Sequence, residues 1–539
     1  MYWLVVMGLL AISQYVAAAR SLSVDNVNLA FALEYFDPLN HQPQPPGYPF
    51  FVVLARVLFW ALGSVELTFF VISCGVAAAC LLLVYSLASR LFSETAARIA
   101  VLLFAVNPVF WQTTAESPLR PFLFLVSLLV AYCAWRCWNG EVRWLYVGAV
   151  ALGIGSGFRP ELLPYLFPLW IVAAWTGSRS IKKCVVGSAV IAGFVLVWVG
   201  GLVIAVGGLG KLYSLLTTYL VEQSRNESPL MGADLRGWLR QTGRLAVWNG
   251  TAVFWWIWAV PVLLWRRQTL LPSRIAVFVI LWILPALGIP SLTHSAHPGH
   301  TGTTIPALCV LGAHFLVTGA RALSPIEDGL GLRETFMGAA MVVNAMIFLN
   351  FFPLPAASPA AGSSSPSIKN MVAYALAEAS VASVRSMDAA AVNTLGELRK
   401  LTPEDRPSIL ITSDVHTREW ILNWRILRYY EPKRIIWAVS DNWASENSQQ
   451  VTLSALKVRR FDSLQSLSGE TVSIPVPAGG RILFLLDPKG SFESELNKAA
   501  RVTRGQYIAY VDLPPDATPI RINGFELTPS KAESLSSGL

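Results

Sequence analysis

Apolar residues fill the first two thirds of the chain in long blocks, separated by short polar turns that carry most of the charge. A helix needs about 20 mostly apolar residues to cross a bilayer. Blocks of this kind run over Tyr2–Ala19, Leu67–Ala88, Ile99–Trp111, Pro121–Trp138, Trp144–Phe158 and Leu162–Trp175. They continue at Val185–Val206, Leu245–Trp265, Ile275–Ile289, Thr303–Gly319 and Phe336–Phe352, which makes eleven expected spans. Tyr48–Leu62 is apolar too, but it is short, carries Arg56 and begins behind Pro45, Pro46 and Pro49. It is expected to lie on the membrane surface rather than to span it.

The pattern changes near Pro353. Residues 354–367, rich in Pro, Ala and Ser, read as a linker between a membrane domain at 1–353 and a further domain at 368–539. Ile368–Leu398 has helical spacing. Short apolar runs at Ile409–Thr412, Ile435–Val439, Ile482–Leu486 and Tyr507–Val511 read as strands between helical or turn-rich segments. The expected architecture is an all-α polytopic membrane domain of about 11 transmembrane helices followed by a C-terminal α/β soluble domain.

Composition agrees with this division. Of 539 residues, 54% are hydrophobic and 14% charged, where soluble proteins carry roughly a quarter charged residues. The net charge of +8 does not indicate nucleic acid, because no basic surface is interleaved with aromatic residues. Many of the basic residues fall instead in alternate short loops: Arg90 and Arg98, Arg136 and Arg143, Arg179 to Lys183, Arg266 to Arg274, Arg321 and Arg333. By the positive-inside rule those loops and the N-terminus are cytoplasmic. The Asp25 loop, the Gln112–Arg120 turn, the Gly207–Arg244 loop and the His294–His300 loop then share the outer face with the C-terminal domain. Val16–Ala19 looks like a signal-cleavage site, yet the first block lacks a basic start and reads as a retained span. The six cysteines lie in or beside apolar blocks and read as packing residues.

The candidate chemistry lies in the outer loops. Asp25 follows the first block within a few residues, where a carboxylate must face water, protein or a cavity, or cap the next helix. Glu34 and Asp37 share one helix face or end, and there is no Asp-x-Asp pair. His41-Gln-Pro-Gln-Pro-Pro-Gly-Tyr-Pro49 forms a stiff re-entry that includes Gln44 and Tyr48. Glu116 with Arg120, and Arg159 with Glu161, are charge pairs beside apolar spans that need partners there. His294, His297 and His300 suggest zinc by residue type, but Pro298 and Gly299 break the helix that would align them, and no cysteine or carboxylate nearby completes a set.

The string Asp25-Asn-Val-Asn-Leu-Ala-Phe-Ala-Leu33, together with His41–Pro49, resembles the first external loop of the GT-C glycosyltransferases, most closely the bacterial protein O-mannosyltransferase and aminoarabinose-transferring forms. The resemblance covers roughly the first 350 residues and implies transfer of a sugar from a polyprenyl-phosphate donor to a lipid, glycan or protein acceptor. It implies that Asp25 is the general base on the acceptor hydroxyl or a ligand of an assisting divalent metal. It also implies that Glu116 is the second-loop acid and that the His297 and His300 loop contacts the lipid-phosphate donor. In the aminoarabinose-transferring relatives a lysine stands where this chain has Gln44, and the resemblance implies that it meets the donor phosphate, so His41, Arg120 or Arg159 is the candidate for neutralising that phosphate here. The competing classes are a polytopic transporter or lipid flippase, and a sensor with a soluble outer domain. Against transport, no paired broken segments mark two matching halves.

Overall fold

A computed structural model of the chain describes residues 2–295, 297–323, 330–351, 368–402, 405–413, 424–432, 434–439, 449–453, 464–467, 472–486, 502–522 and 525–530. The chain forms two compact units. One comprises Met1–Ala19, Asp37–His41 and Pro45–Val384; the other comprises Arg20–Phe36, Gln42–Gln44 and Arg385–Leu539. The expected linker at 354–367 lies outside the described residues.

The first unit is helical, and each of the eleven apolar blocks contains helix. Among the described residues, four helices are long and apolar enough to cross a membrane: Val65–Leu91, Ile181–Val206, Ser273–Leu292 and Ile305–Leu323. Glu94–Ala105 and Pro108–Glu116 make a fifth if they are taken as one span bent by 55°. The other blocks form shorter or more polar helices, among them Phe122–Trp138, Arg143–Phe158 and Leu162–Ser178. Tyr48–Leu62 forms the helix Pro49–Leu62.

Four expected loops and spans are built differently. The block Ile99–Trp111 is broken at Asn107, whose side chain accepts from the backbone N–H groups of Val109 (3.0 Å) and Phe110 (3.3 Å) and so starts a new helix at Pro108. The expected Gln112–Arg120 turn is therefore helical through Glu116. The expected Gly207–Arg244 loop contains the helix Leu209–Ser224 and the first half of Leu235–Val253. Both carry mixed faces, which a search for continuous apolar runs passes over. The Leu245–Trp265 block is split into Leu235–Val253 and Ala259–Trp265.

The second unit contains a seven-stranded sheet and a three-stranded one. In chain order the strands are β1 (Ser408–Ser413), β2 (Ile435–Val439), β3 (Gln449–Leu453), β4 (Leu464–Leu467), β5 (Val472–Pro477), β6 (Arg481–Leu485), β7 (Thr503–Arg504), β8 (Ile508–Asp512), β9 (Ile520–Ile522) and β10 (Phe525–Ser530). The larger sheet has the order β4-β3-β2-β1-β6-β8-β7, with β1 parallel to β2 and β6 and the remaining pairs antiparallel. Ile409, Leu410 and Ile411 on β1 are all buried, as a central strand covered on both faces requires. Alternate residues Ile409, Ile411, Ile482, Phe484, Ala509 and Val511 share one core. The four expected strand runs fall on β1, β2, β6 and β8.

The helix Val24–Glu34 also belongs to this unit. Ser23 caps it by accepting from Asn26 N–H, and Asp25 sits in its first turn rather than at the cap. Helices of this length are marginal in isolation. Here residues 26–33 are buried, and the ring of Phe31 meets Tyr429 of the helix Trp424–Tyr430 edge-on, with centroids 6.1 Å apart.

Candidate active site

The break at Asn107 positions the first group of polar residues. Asn107 also donates to Thr251 Oγ1 at 2.9 Å, fixing the bend against the helix Leu235–Val253. The short helix beyond the bend carries Gln112 and Glu116 one turn apart on one face. Glu116 is buried and held by three side chains: Gln112 donates to it, Arg120 Nη1 lies 3.4 Å from Oε1, and His297 Nε2 lies 2.6 Å from Oε2. His297 caps the 3-10 turn Pro298–Thr303, and its Nδ1 accepts from Gly299 N–H at 2.9 Å. With Nδ1 accepting, the ring's proton resides on Nε2 and points at Glu116. Arg120 then supplies the countercharge.

His300 completes the turn by accepting the His297 backbone N–H at Nδ1 (3.3 Å). Its imidazole is held well below the usual histidine range by burial, and then by the positive charge of Arg159 and by His294, Arg120 and His297. It is a neutral ring at physiological pH.

A second group surrounds Arg244. Its Nη2 and Nε bind Glu378 at 2.6 and 3.1 Å, and its Nη1 lies 3.8 Å from Glu227. The guanidinium lies over Trp248, 4.9 Å from the ring centroid, and the Trp248 indole donates to Ala375 O at 2.9 Å. Glu227 in turn lies 2.9 Å from His294 Nδ1. Burial pushes the Glu378 carboxyl up to about 7, with Arg244 opposing the rise and Glu227 and Glu116 adding to it. The sequence reading missed Glu227, Arg244 and Glu378. Arg244 and Glu378 are 134 residues apart, so no local spacing marks the pair.

A third group forms where the proline-rich segment re-enters the unit. A Cβ on Gly157 would lie 2.3 Å from the Phe50 ring, so glycine there lets the helix Pro49–Leu62 seat directly on the end of Arg143–Phe158. That approach places Tyr48, left-handed at φ 44°, under Arg159, whose guanidinium is 5.5 Å from the ring centroid. Arg159 is buried and pairs with Glu161, and its Nε has no hydrogen-bond partner among the described residues. His41, also left-handed, sets its ring 6.1 Å from that of Tyr219.

The structure thus brings Glu116, Arg120, His297 and His300 together, and Tyr48, Arg159 and Glu161 together, all within the first unit. Asp25 and Gln44 belong to the second unit, with Asp25 half-buried and Gln44 buried. Each histidine of the triplet has its own partner. Among the described residues no group of three His, Cys, Asp or Glu side chains is arranged to hold a metal ion.

The Glu378 carboxyl gives a pH signature. Its folded pKa, about 7, exceeds the ordinary carboxyl value of 4.5, so the folded state binds this proton more tightly than the unfolded state does. The resulting stability is present below pH 4.5 and is lost as pH rises toward about 7. Glu378→Gln keeps the side chain's shape without the titration. Thermal unfolding in detergent between pH 5 and 7.5 is expected to show wild type losing stability relative to the variant; parallel curves would contradict the raised value.

The family model for dolichyl-phosphate-mannose-protein mannosyltransferases matches residues 43–200, a stretch that includes Tyr48, Glu116, Arg120, Arg159 and Glu161. No curated protein matches the chain in sequence. Among solved structures, the chain is similar to the crystal structure of ArnT from Cupriavidus metallidurans in the apo state, with a TM-score of 0.54 and 14% identity over 96% of this chain and 98% of that one. It is also similar to that protein bound to undecaprenyl phosphate, with a TM-score of 0.52 and 14% identity over 95% of this chain and 97% of that one. Along nearly its whole length, the chain has the fold of these ArnT structures.

Proposed function

We propose that this protein transfers a sugar from a polyprenyl-phosphate donor to an acceptor hydroxyl on the outer face of a bacterial inner membrane, with inversion at the anomeric carbon. The observation that carries the reading is the shared fold over 96% of this chain, since the same fold appears in a structure bound to undecaprenyl phosphate. The first-loop motif around Asp25 and His41–Pro49 supports it.

In the proposed reaction the acceptor oxygen attacks the anomeric carbon while Asp25 takes the hydroxyl proton. The bond from that carbon to the phosphate oxygen breaks, and the electron pair leaves with the lipid phosphate. Base and leaving group lie on opposite faces of the sugar, as inversion requires. The lipid phosphate needs a cation, and Gln44 offers none. Arg159 is the first choice, because it is buried, permanently charged and has a fork suited to phosphate oxygens. Arg120 is the second, although Glu116 already engages it. The residues at 368–539, proposed as an α/β domain on the outer side, would select the acceptor.

The asymmetry of basic loops supports about eleven crossings, with Asp25, Glu116 and His297 outside and Arg179–Lys183 inside. Single cysteines at Ser23 and Lys182, labelled with an impermeant maleimide in intact and in opened cells, are expected to react from opposite sides. Labelling from the same side would overturn this topology.

Release of polyprenyl phosphate from the endogenous donor pool, followed by mass spectrometry in native membranes, tests the reaction without knowledge of the sugar. Asp25→Asn keeps size and hydrogen bonding while removing the base, and is expected to slow release by a factor of about 10² to 10⁴ at matched protein levels. Near-normal release would leave Asp25 as a helix residue only.

Phosphate recognition is measured separately by titration of undecaprenyl phosphate. Lysine replaces the arginine fork with a point charge, so Arg159→Lys is expected to weaken binding by roughly tenfold, the scale of one charge-assisted hydrogen bond. If binding holds in Arg159→Lys and falls in Arg120→Lys, the phosphate contact moves to Arg120.

A further inference from the structure

The helix that carries Asp25 begins immediately after a segment held by residues far along the chain. Asp388, on the helix Val381–Leu401, accepts at Oδ1 from the backbone N–H of Arg20 (2.8 Å), the backbone N–H of Ser21 (2.8 Å) and the Ser21 hydroxyl (3.0 Å). Its Oδ2 accepts from Arg385 Nη1 at 2.8 Å. The carboxylate is buried, and both its oxygens are engaged. The next residue is held as well, since Leu22 N–H donates to the Tyr430 hydroxyl at 2.9 Å. Further along, Arg425 Nη1 lies 3.4 Å from Asn28 Oδ1, and Phe31 meets Tyr429.

Three consecutive backbone N–H groups, at residues 20, 21 and 22, are therefore satisfied by two side chains more than 360 residues away. Ser23, the helix cap, and Asp25, in the first turn, follow directly. Fixing these amides fixes where the helix starts and hence where its first turn presents a carboxylate. A short helix on a loop has little intrinsic rigidity. A buried carboxylate receiving several hydrogen bonds is a strong local anchor, since any displacement leaves polar groups unpaired.

From this geometry we infer that Asp388 and Tyr430 are positioning residues for Asp25: the segment after Val384 holds the proposed catalytic base in its working place. The inference rests on the role proposed for Asp25. It assigns a task to residues that lie outside the first 350, where the family resemblance is found.

Two independent measurements test it. Hydrogen exchange in detergent micelles reads the anchor itself. In Asp388→Ala, exchange is expected to rise over residues 20–31 while β1 and β6 stay protected. Polyprenyl phosphate release in native membranes reads the consequence. Misplacing a reacting group by about 1 Å can cost on the order of 100-fold, so Asp388→Ala is expected to slow release roughly 10- to 100-fold while undecaprenyl phosphate binding is kept. Asp388→Asn retains an acceptor oxygen and should recover most of the loss. Tyr430→Phe, which keeps the ring and removes only the hydroxyl, should give a smaller loss in the same direction. Because the anchor acts through Asp25, Asp388→Ala added to Asp25→Asn should slow release no further.

The inference is overturned if Asp388→Ala leaves release within twofold of wild type, if its loss multiplies with that of Asp25→Asn, or if exchange rises across β1 and β6 as well. Should Asp25→Asn itself remain active while Asp388→Ala loosens residues 20–31, the anchor stands and the base assignment fails. Unchanged exchange over residues 20–31 overturns the anchor alone.

Discussion

A charge placed among apolar helices is stable only with partners, and the first unit is organised around meeting that requirement. Glu116 is satisfied from three directions, by Gln112 on its own helix, by Arg120 just past the helix end and by His297 from a distant turn. Arg244 solves the opposite problem, a buried cation, with a two-pronged bond to Glu378 and with Glu227 nearby. Removing one member of such a group strands the others without solvent, which typically costs about 3–5 kcal/mol. Each group therefore ties together elements that apolar packing alone would leave free to slide. The 3-10 turn Pro298–Thr303 starts at His297, which binds Glu116, and His294 nearby lies 2.9 Å from Glu227.

The same requirement separates groups that fix structure from groups that stay available for chemistry. His297 donates to Glu116 and accepts from Gly299, so both ring nitrogens are committed. Arg159 is different. It is buried, it pairs with Glu161 and lies over Tyr48, and its Nε has no hydrogen-bond partner among the described residues. A buried donor of this kind is costly unless something else binds it in the working state, which is why the phosphate contact is proposed there first. In the second unit, the helix that carries Asp25 is secured by Asp388 and Tyr430 in the same way that the helical unit secures Glu116, through hydrogen bonds from far along the chain.

Much of this was legible in the sequence, because composition and periodicity are local properties. Each of the eleven apolar blocks contains helix, and four runs became the strands β1, β2, β6 and β8. The break at Asn107-Pro108 was also written locally, although a search for apolar runs read through it. The helix Leu209–Ser224 escaped because its mixed faces never form a continuous apolar block. Crossing number is a further matter: among the described residues, length and composition alone support four spans, or five with the bent pair.

The sequence determined by itself which segments seek an apolar environment and which residue types carry charge beside them, since both follow from the transfer of side chains between water and hydrocarbon. It could not determine the pairing of those charges. Glu116 with His297, Arg244 with Glu378 and Asp388 with the amides of Arg20 and Ser21 are separated by 181, 134 and 368 and 367 residues. No periodicity extends over such distances. Those partners were decided by which helix ends and turns the tertiary fold brings within hydrogen-bond reach, because a buried polar group is bound by proximity in space and not by position along the chain.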